Sequence, residues 1–274
     1  MNYFEIKFRS ELENEVLIAF LSGLEFESFV EEGEVLKAYV AENRWNREAF
    51  DGLIGEIRVL GNIDYESKLI EDRNWNAEWE SGFQPVMIAG RIWIGAPFHT
   101  PPEDVDYQLN IEPKMSFGTA HHETTALMLE WMLEIDFSGK KVLDMGTGTG
   151  ILAIFAEMTG AREIFAIDID PWSYENILEN IERNRAQNIV SRIGDLDEVP
   201  DEQYDIILAN INRNILLKHI QGYTQRMRKG SIILFSGFYT QDIPVIESEA
   251  TKHGLQTRNY HTKNNWVALL MEKQ

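Results

Sequence analysis

The chain has 274 residues and carries 45 Asp and Glu against 25 Lys and Arg, a formal net charge of −20 at pH 7. Its apolar fraction of 44% is that of a globular protein and excludes a disordered or fibrous chain. The absence of cysteine excludes disulfide frameworks, cysteine-ligated metal centres and thiol catalysis.

Charge and apolar pattern also bear on location and partners. A chain this acidic repels nucleic-acid phosphates, so we expect no direct nucleic-acid binding and a preference for cationic partners. No apolar run reaches the roughly 18 residues of a membrane span, and the first residues lack the pattern of a signal peptide. We therefore predict a cytoplasmic monomer without membrane contact.

Residues 1–71 are predicted to form a small α+β domain. Phe4, Ile6 and Phe8 alternate with charged residues, as in a strand, and Ser10 is the expected cap of the helix that follows. The next elements are two strands, a helix and a strand, at Phe26–Val30, Val35–Val40, Asn46–Leu60 and Ile63–Leu69. The order β-α-β-β-α-β is the ferredoxin-like pattern.

This first domain is also predicted to have a strongly negative face. Eight acidic residues and no Lys or Arg occur between Glu11 and Glu34. Residues 72–85 are then predicted to form a linker helix. Trp75 and Trp79 lie four positions apart, on one side of a helix, and Gly82 and Pro85 would end it.

Residues 86–274 are predicted to form a second, larger domain. A strand pair near Met87–Ile94 and Tyr107–Ile111 is followed by strands that alternate with helices, which predicts an α/β fold with a doubly wound, mostly parallel sheet. The last two strands have no helix between them and should form an antiparallel hairpin. The strand candidates are Lys141–Asp144, Ile164–Asp168, Ile189–Ile193, Tyr204–Ala209, Ser231–Ser236, Leu255–Tyr260 and Trp266–Met271, and the helix candidates are Ile151–Thr159, Trp172–Arg185, Arg213–Arg226 and Asp242–His253.

The strongest functional signal is the glycine-rich segment that follows the first strand of this alternating region. The strand ends at Asp144, Gly146, Gly148 and Gly150 follow, and a helix begins at once. Glycines allow positive φ and a close approach of the backbone to a ligand. The third glycine comes one position earlier than in the dinucleotide-binding pattern. This spacing after an Asp is typical of loops that bind the amino-acid part of S-adenosylmethionine.

Three further polar residues follow strands of the same sheet. Asp168 ends the second strand, where an acid can accept hydrogen bonds from both ribose hydroxyls of a nucleoside. Asp195 follows the third strand, where an acid commonly meets the adenine amino group, although a plain surface acid is an equal alternative. Asn210 ends the fourth strand, and its side-chain oxygen could hold an acceptor amine in line for transfer. Asp170, just before a proline, is expected to cap the next helix.

The segment SFGTAHHETT precedes this region and contains two adjacent histidines. No cluster of acids surrounds His121 and His122, so we predict that no metal is bound. Capping, loop packing, substrate contact and proton acceptance stay open for them, and we assign a candidate catalytic role to His121. The helix that opens at Thr124 and Thr125 should direct its N-terminus at the pocket, where it would suit a cofactor carboxylate.

Together these motifs resemble the PrmA-type methyltransferases, which methylate large-subunit ribosomal protein eleven. The segment at 117–125 matches the family's characteristic segment, and DMGTGTGILAI, AIDIDP and ANI match its three cofactor motifs in order and spacing. The small first domain and the linker match the family's substrate-recognition domain and hinge. One departure is Ala120, where the family usually has Gly. If that position needs a positive φ, the loop must shift or carry strain.

The resemblance implies methyl transfer from S-adenosylmethionine to lysine ε-amino groups and the α-amino group of a basic ribosomal protein. The family's cofactor contacts would fall on Thr125, Gly146, Asp168 and Asn210, and the glycine loop adds Gly148 to the predicted cofactor site. The acidic first domain agrees with a cationic substrate.

Three alternatives stay open from the sequence. The first is a class I methyltransferase for another protein or a small amine. The second is an NAD-dependent oxidoreductase, which the glycine spacing and the lack of a recognisable hydride-transfer pair disfavour. The third is a non-enzymatic acidic adaptor, which would bind no cofactor.

Overall fold

The computed structural model describes residues 2–33, 35–70, 84–112, 114 and 116–274. The chain divides into two compact units, Met1–Gly82 and Phe83–Gln274. The predicted linker helix at 72–85 lies outside the described residues, except for Gln84 and Pro85 at its end.

The first unit is an antiparallel sheet with two helices, in the predicted order β-α-β-β-α-β. The sheet order is β2-β3-β1-β4, as in a ferredoxin-like fold. The strands are β1 (Tyr3–Ser10), β2 (Ser28–Glu32), β3 (Val35–Ala41) and β4 (Ile63–Ile70), and the helices are α1 (Asn14–Leu21) and α2 (Arg47–Ile57). Alternation in β1 puts Ile6 and Phe8 into a core with Phe50 and Ile54 of α2. Burial of these apolar side chains stabilises the first unit.

The predicted cap of α1 is wrong. Ser10 is the last residue of β1, where it pairs with Ile63 of β4, so the sheet extends through the position that the sequence assigned to the cap. The Ser10 hydroxyl accepts a hydrogen bond from the Leu12 amide, and α1 begins only at Asn14. Cross-strand pairing therefore outweighs the local capping preference of serine.

The second unit is built on a seven-stranded sheet of order β10-β9-β8-β11-β12-β14-β13. The first five strands of this order are parallel, and β14 pairs antiparallel with both β12 and β13, which confirms the α/β fold class and the hairpin. The strands are β8 (Lys141–Met145), β9 (Glu163–Asp168), β10 (Ile189–Ile193), β11 (Tyr204–Asn210), β12 (Met227–Tyr239), β13 (Leu255–Lys263) and β14 (Trp266–Lys273).

Helices cover both faces of this sheet. Apolar residues alternate along a strand between two cores, so that Val142 packs into the core on one face of the sheet and Leu143 into the core on the other. The helices are α3 (Glu123–Met132), α4 (Ile151–Met158), α5 (Pro171–Arg183), α6 (Arg213–Gln225) and α7 (Ile243–Lys252).

A separate three-stranded sheet precedes α3. It has the order β5-β6-β7, with β5 (Val86–Ile88) antiparallel and β7 (Tyr107–Asn110) parallel to β6 (Ile92–Gly95). The segment Met87–Ile94 therefore contains a turn between two strands, at Ala89 and Gly90, which both have positive φ.

The carboxyl ends of four parallel strands meet at one edge of the large sheet. Because β10, β9, β8 and β11 run in the same direction, Ile193, Asp168, Met145 and Asn210 end side by side. Polar residues that are far apart in sequence are therefore collected at this edge. In the part of the chain that the structure describes, no helix has the length and apolar character needed to cross a membrane.

Candidate active site

The glycine turn between β8 and α4 has the positive φ angles that its sequence indicates. The φ values are 67° at Gly146, 54° at Gly148 and 81° at Gly150. A Cβ atom at Gly148 would lie 2.2 Å from the carbonyl oxygen of Phe117, and one at Gly146 would lie 2.2 Å from Cγ2 of Ile211. Both the backbone conformation and the close packing of neighbouring segments therefore require glycine.

An open cleft of about 440 Å³ lies at the carboxyl edge of the sheet, beside this turn. Five of the predicted site residues line it together, which places them within reach of one ligand. These five are Gly146, Gly148, Asp168, Asp195 and Asn210. Apolar side chains line it as well, and those of Ile169 and Ile215 are exposed.

The carboxylate of Asp168 is held in place by two backbone amides. Gly148 donates to Oδ2 at 2.9 Å, and Asp170 donates to Oδ1 at 3.0 Å. A carboxylate oxygen can accept more than one hydrogen bond, so both oxygens keep capacity for a ligand in the cleft. The side chain of Asp170 caps α5 by accepting from the Trp172 amide, as its sequence position predicts.

Asn210 joins the cleft to the first turn of α3. Its Nδ2 donates a hydrogen bond to Oγ1 of Thr125 at 3.3 Å, and Thr125 is buried. The other side-chain atom of Asn210, Oδ1, is buried and has no hydrogen-bond partner among the described residues. A buried acceptor without a partner is costly, and in a cleft it indicates a position for a donor from a ligand.

Asp195 caps the short 3-10 helix Leu196–Glu198. Its Oδ1 accepts from the Leu196 amide at 2.8 Å, and its own amide donates to Glu198 at 2.8 Å. Because Asp195 also lines the cleft, the capping contact fixes its carboxylate beside the ligand position.

The two adjacent histidines differ in position. His122 caps α3, and its Nδ1 lies 3.3 Å from the donating Thr124 amide. His121 is exposed, with Nε2 2.9 Å from the carbonyl oxygen of Gln84 and Nδ1 3.1 Å from the Thr119 hydroxyl. His121 lies outside the set of described residues that line the cleft, and its catalytic role stays a prediction.

Ala120, directly before His121 in the chain, has a φ of 64° and is buried. At this position the PrmA-type sequences usually have glycine. The loop accommodates it with a left-handed backbone, which costs an L-residue about 1–2 kcal/mol. Surrounding packing therefore stabilises the strained conformation.

Two groups near the cleft are absent from the predicted site. Burial raises the pKa of Asp144 to about 7, and the charge of Asp168 adds to the effect, although Thr147 donates to Asp144 Oδ2 at 2.5 Å. His219 lines the cleft and lies 3.4 Å from Asp195. A lone histidine at helical spacing from Leu216 and other apolar residues gives no functional signal in the sequence.

The fold and the cleft define a class of protein. The sheet is doubly wound and ends in an antiparallel hairpin. A glycine turn, a carboxylate and an amide lie at the ends of three adjacent strands. This is the architecture of a class I methyltransferase. The family described as "Ribosomal protein L11 methyltransferase (PrmA)" matches residues 9–274, and the chain belongs to this family.

Relatives and solved structures agree. A ribosomal protein L11 methyltransferase of Phocaeicola vulgatus is 42% identical over 276 residues, which cover 98% of each chain. One of Chlorobaculum parvum is 36% identical and covers 99% of this chain and 96% of its own. The crystal structure of a ribosomal protein L11 methylase from Lactobacillus delbrueckii subsp. bulgaricus has a TM-score of 0.65 at 26% identity, and the match covers 70% of this chain and all of that one. The resemblance stated from the sequence is confirmed.

Proposed function

We propose that this protein transfers methyl groups from S-adenosylmethionine to amino groups of ribosomal protein L11. Family membership supports the reaction and the substrate. The observation that carries the proposal is the buried Oδ1 of Asn210, an acceptor without a partner at the end of β11, in the same cleft as the Asp168 carboxylate. The oxidoreductase and adaptor alternatives have no comparable support.

The cleft residues fit S-adenosylmethionine. The oxygens of Asp168 can accept from ribose hydroxyls, and exposed Ile169 supplies apolar surface for a purine. The Asp195 carboxylate is an acceptor for the adenine amino group. Gly146 and Gly148 leave no side chain between their backbone and the cleft.

Asn210 and the cleft walls supply the main requirements of an amine acceptor. When bound, S-adenosylmethionine supplies an electrophilic methyl group. A lysine amine has a pKa of about 10.4 in water and is protonated at neutral pH. Desolvation in the cleft favours its neutral form, and the Asn210 oxygen accepts one of its N–H groups, which orients the lone pair. Positioning therefore accounts for most of the expected rate, without a strong base.

The first unit is proposed to recognise the substrate. It contains the acidic stretch between Glu11 and Glu34, and L11, as a basic ribosomal protein, would be attracted to it. In the structure Glu25 and Glu27 lie near Arg44, at 3.7 and 3.3 Å, while Asn14 donates to Glu31. Arg44 adds a single positive charge beside a stretch of eight acids, so the stretch keeps a net negative charge that would attract a cationic partner.

One experiment tests the proposal. The protein is incubated with S-adenosylmethionine that carries a labelled methyl group and with unmodified ribosomal proteins, and the labelled protein is identified by mass spectrometry. We expect label on lysine or N-terminal amino groups of L11. Label on another protein would overturn the substrate, and no label together with no cofactor binding would overturn the reaction.

A further inference from the structure

We propose that His219 is a positioning residue that holds the Asp195 carboxylate as the acceptor for the exocyclic amine of adenine. This inference rests on the proposed function, because it concerns recognition of S-adenosylmethionine. It assigns His219 a part in choosing the base of the cofactor. Contacts among the described residues support it.

The first contact is between His219 and Asp195. His219 belongs to α6, which begins three residues after the end of β11, and its side chain is only 4% exposed. Its Nε2 lies 3.4 Å from Asp195 Oδ1, and both residues line the cleft. A buried imidazole beside a partly exposed carboxylate limits the positions that the carboxylate can take.

The second contact fixes which nitrogen of His219 carries the proton. The hydroxyl of Tyr223 lies 3.3 Å from His219 Nδ1, and Tyr223 is fully buried. Burial raises the pKa of Tyr223, so the phenol keeps its proton, and burial lowers the pKa of His219, so the ring is neutral.

A neutral imidazole has one donor and one acceptor nitrogen. If Nδ1 carried the proton, the lone pair of Nε2 would face the Asp195 carboxylate. The reverse arrangement avoids this repulsion: Tyr223 donates to Nδ1, and the protonated Nε2 of His219 faces Asp195 Oδ1 at 3.4 Å. The hydrogen bond with Tyr223 therefore sets the tautomer of His219, and the resulting N–H group is directed at the Asp195 carboxylate.

The other contacts of Asp195 show why the carboxylate needs this support. Asp195 accepts from the Leu196 amide at Oδ1, and Lys218 Nζ lies 3.7 Å from Oδ2. The Lys218 side chain is 67% exposed, and such exposed ion pairs contribute little to geometry. The Leu196 amide holds Oδ1, and His219 is the buried side chain beside the same oxygen, so the two together restrict the carboxylate.

A fixed carboxylate at this position selects the base. It accepts from the 6-amino group of adenine, whereas hypoxanthine presents a 6-oxo group that it repels. Discrimination by an acceptor that the wrong ligand leaves unpaired is large. Loss of His219 leaves the Leu196 amide and the exposed Lys218 as partners of the carboxylate, which can then turn further towards solvent, and the preference for adenine should fall.

The test is calorimetric binding of S-adenosylhomocysteine and S-inosylhomocysteine, which differ at the 6-position and in the proton that hypoxanthine carries on N1. For the unaltered protein we expect a preference for the adenine compound of about tenfold or more. Asp195→Asn should remove most of it, because its amide can also donate to a 6-oxo group. His219→Asn should reduce it at least about threefold, with binding of the inosine compound little changed.

Two variants complete the design. His253→Asn is the matched control, since His253 lies 3.2 Å from the carboxylate of Glu249 on α7, outside the cleft lining, and it should keep the full preference. Tyr223→Phe removes the donor to Nδ1 with little change of shape. It should reduce the preference for the adenine compound, and it takes the place of His219→Asn if that variant does not fold.

The outcomes separate the two proposals. If His219→Asn folds and keeps the full preference for the adenine compound, the role of His219 is overturned. If His219→Asn does not fold, an unaltered preference in Tyr223→Phe overturns it. In both cases binding of S-adenosylhomocysteine itself stands. An unaltered preference in Asp195→Asn overturns the role of His219 as well. If the unaltered protein binds neither compound, the proposed function fails and the inference fails with it.

Discussion

Nδ2 of Asn210 donates to Oγ1 of Thr125 at 3.3 Å, which ties the end of β11 to the first turn of α3. In this hydrogen bond the amide nitrogen of Asn210 faces the threonine hydroxyl. The oxygen is then left as an acceptor without a partner, at the edge of the sheet where the cleft opens.

Asn210→Ala should lower methyl transfer much more than cofactor binding. The variant removes the acceptor that orients the amine, and we expect a loss of about a hundredfold in kcat. The Kd for S-adenosylhomocysteine, measured by calorimetry, should change only a few-fold. Equal losses in the rate and in cofactor binding would contradict the acceptor role.

Asn212→Ala is the matched control for this variant. Asn212 also lines the cleft, but its side chain caps α6 by accepting from the Ile215 amide at 3.2 Å. Its loss should lower the free energy of unfolding by about 1 kcal/mol and affect kcat less than Asn210→Ala does.

Asp168→Ala should weaken cofactor binding directly. The carboxylate is held by the Gly148 and Asp170 amides and offers its remaining acceptor capacity to the cleft. Loss of a charged acceptor costs about 1.5–3 kcal/mol, so the Kd for S-adenosylhomocysteine should rise at least about tenfold. Asp170→Ala is the comparison: it removes the cap of α5 and should lower the melting temperature with a smaller change in Kd. Unchanged affinity in Asp168→Ala would exclude Asp168 from the cofactor site.

Gly148→Ala should destabilise the glycine turn more than backbone strain alone explains. Gly139 is the matched position, since it has a φ of 67°, close to the 54° of Gly148, but its Cβ would meet no atom within 4 Å. Gly139→Ala should therefore lower the free energy of unfolding only by the cost of the left-handed backbone conformation, about 1–2 kcal/mol. Gly148→Ala adds the clash with the Phe117 carbonyl, about 1–3 kcal/mol more. Urea unfolding of both variants measures the difference, and equal losses would mean that the contact with Phe117 does not restrict this glycine.

Asp144→Asn should gain stability relative to the unaltered protein as the pH rises. Burial raises the pKa of Asp144 from 3.8 to about 7, so the folded state keeps a proton that the unfolded chain has already lost. The free energy of unfolding therefore falls with rising pH between these two values. From pH 5.5 to 8.5 the advantage of the variant should grow by at most about 2 kcal/mol.

Asp136→Asn is the control for this pH dependence. The backbone amide of Ser138 holds the pKa of Asp136 below its usual value, so this group stays ionised over the whole interval. Its variant should show no pH-dependent difference in urea unfolding. A constant difference for Asp144→Asn as well would show that Asp144 is ionised in the folded protein throughout.

Local sequence signals were reliable where one segment decides its own structure. The glycine spacing required positive φ at Gly146, Gly148 and Gly150, and Asp170 before proline capped its helix as expected. Ser10 shows the limit, since pairing with β4 extended β1 through the predicted cap. For His122 the sequence left several roles open, capping among them, and the structure places it as the cap of α3.

The sequence by itself determined the alternation of strands and helices, the glycine turn, and the acids and amide that end successive strands. These follow from periodicity and from the conformations that individual residues allow. Tertiary structure alone decided that Asn210 meets Thr125 and that His219 lies between Tyr223 and Asp195. Those contacts depend on the order of strands in the sheet and on how deeply each helix face is buried, and both result from packing of the whole second unit.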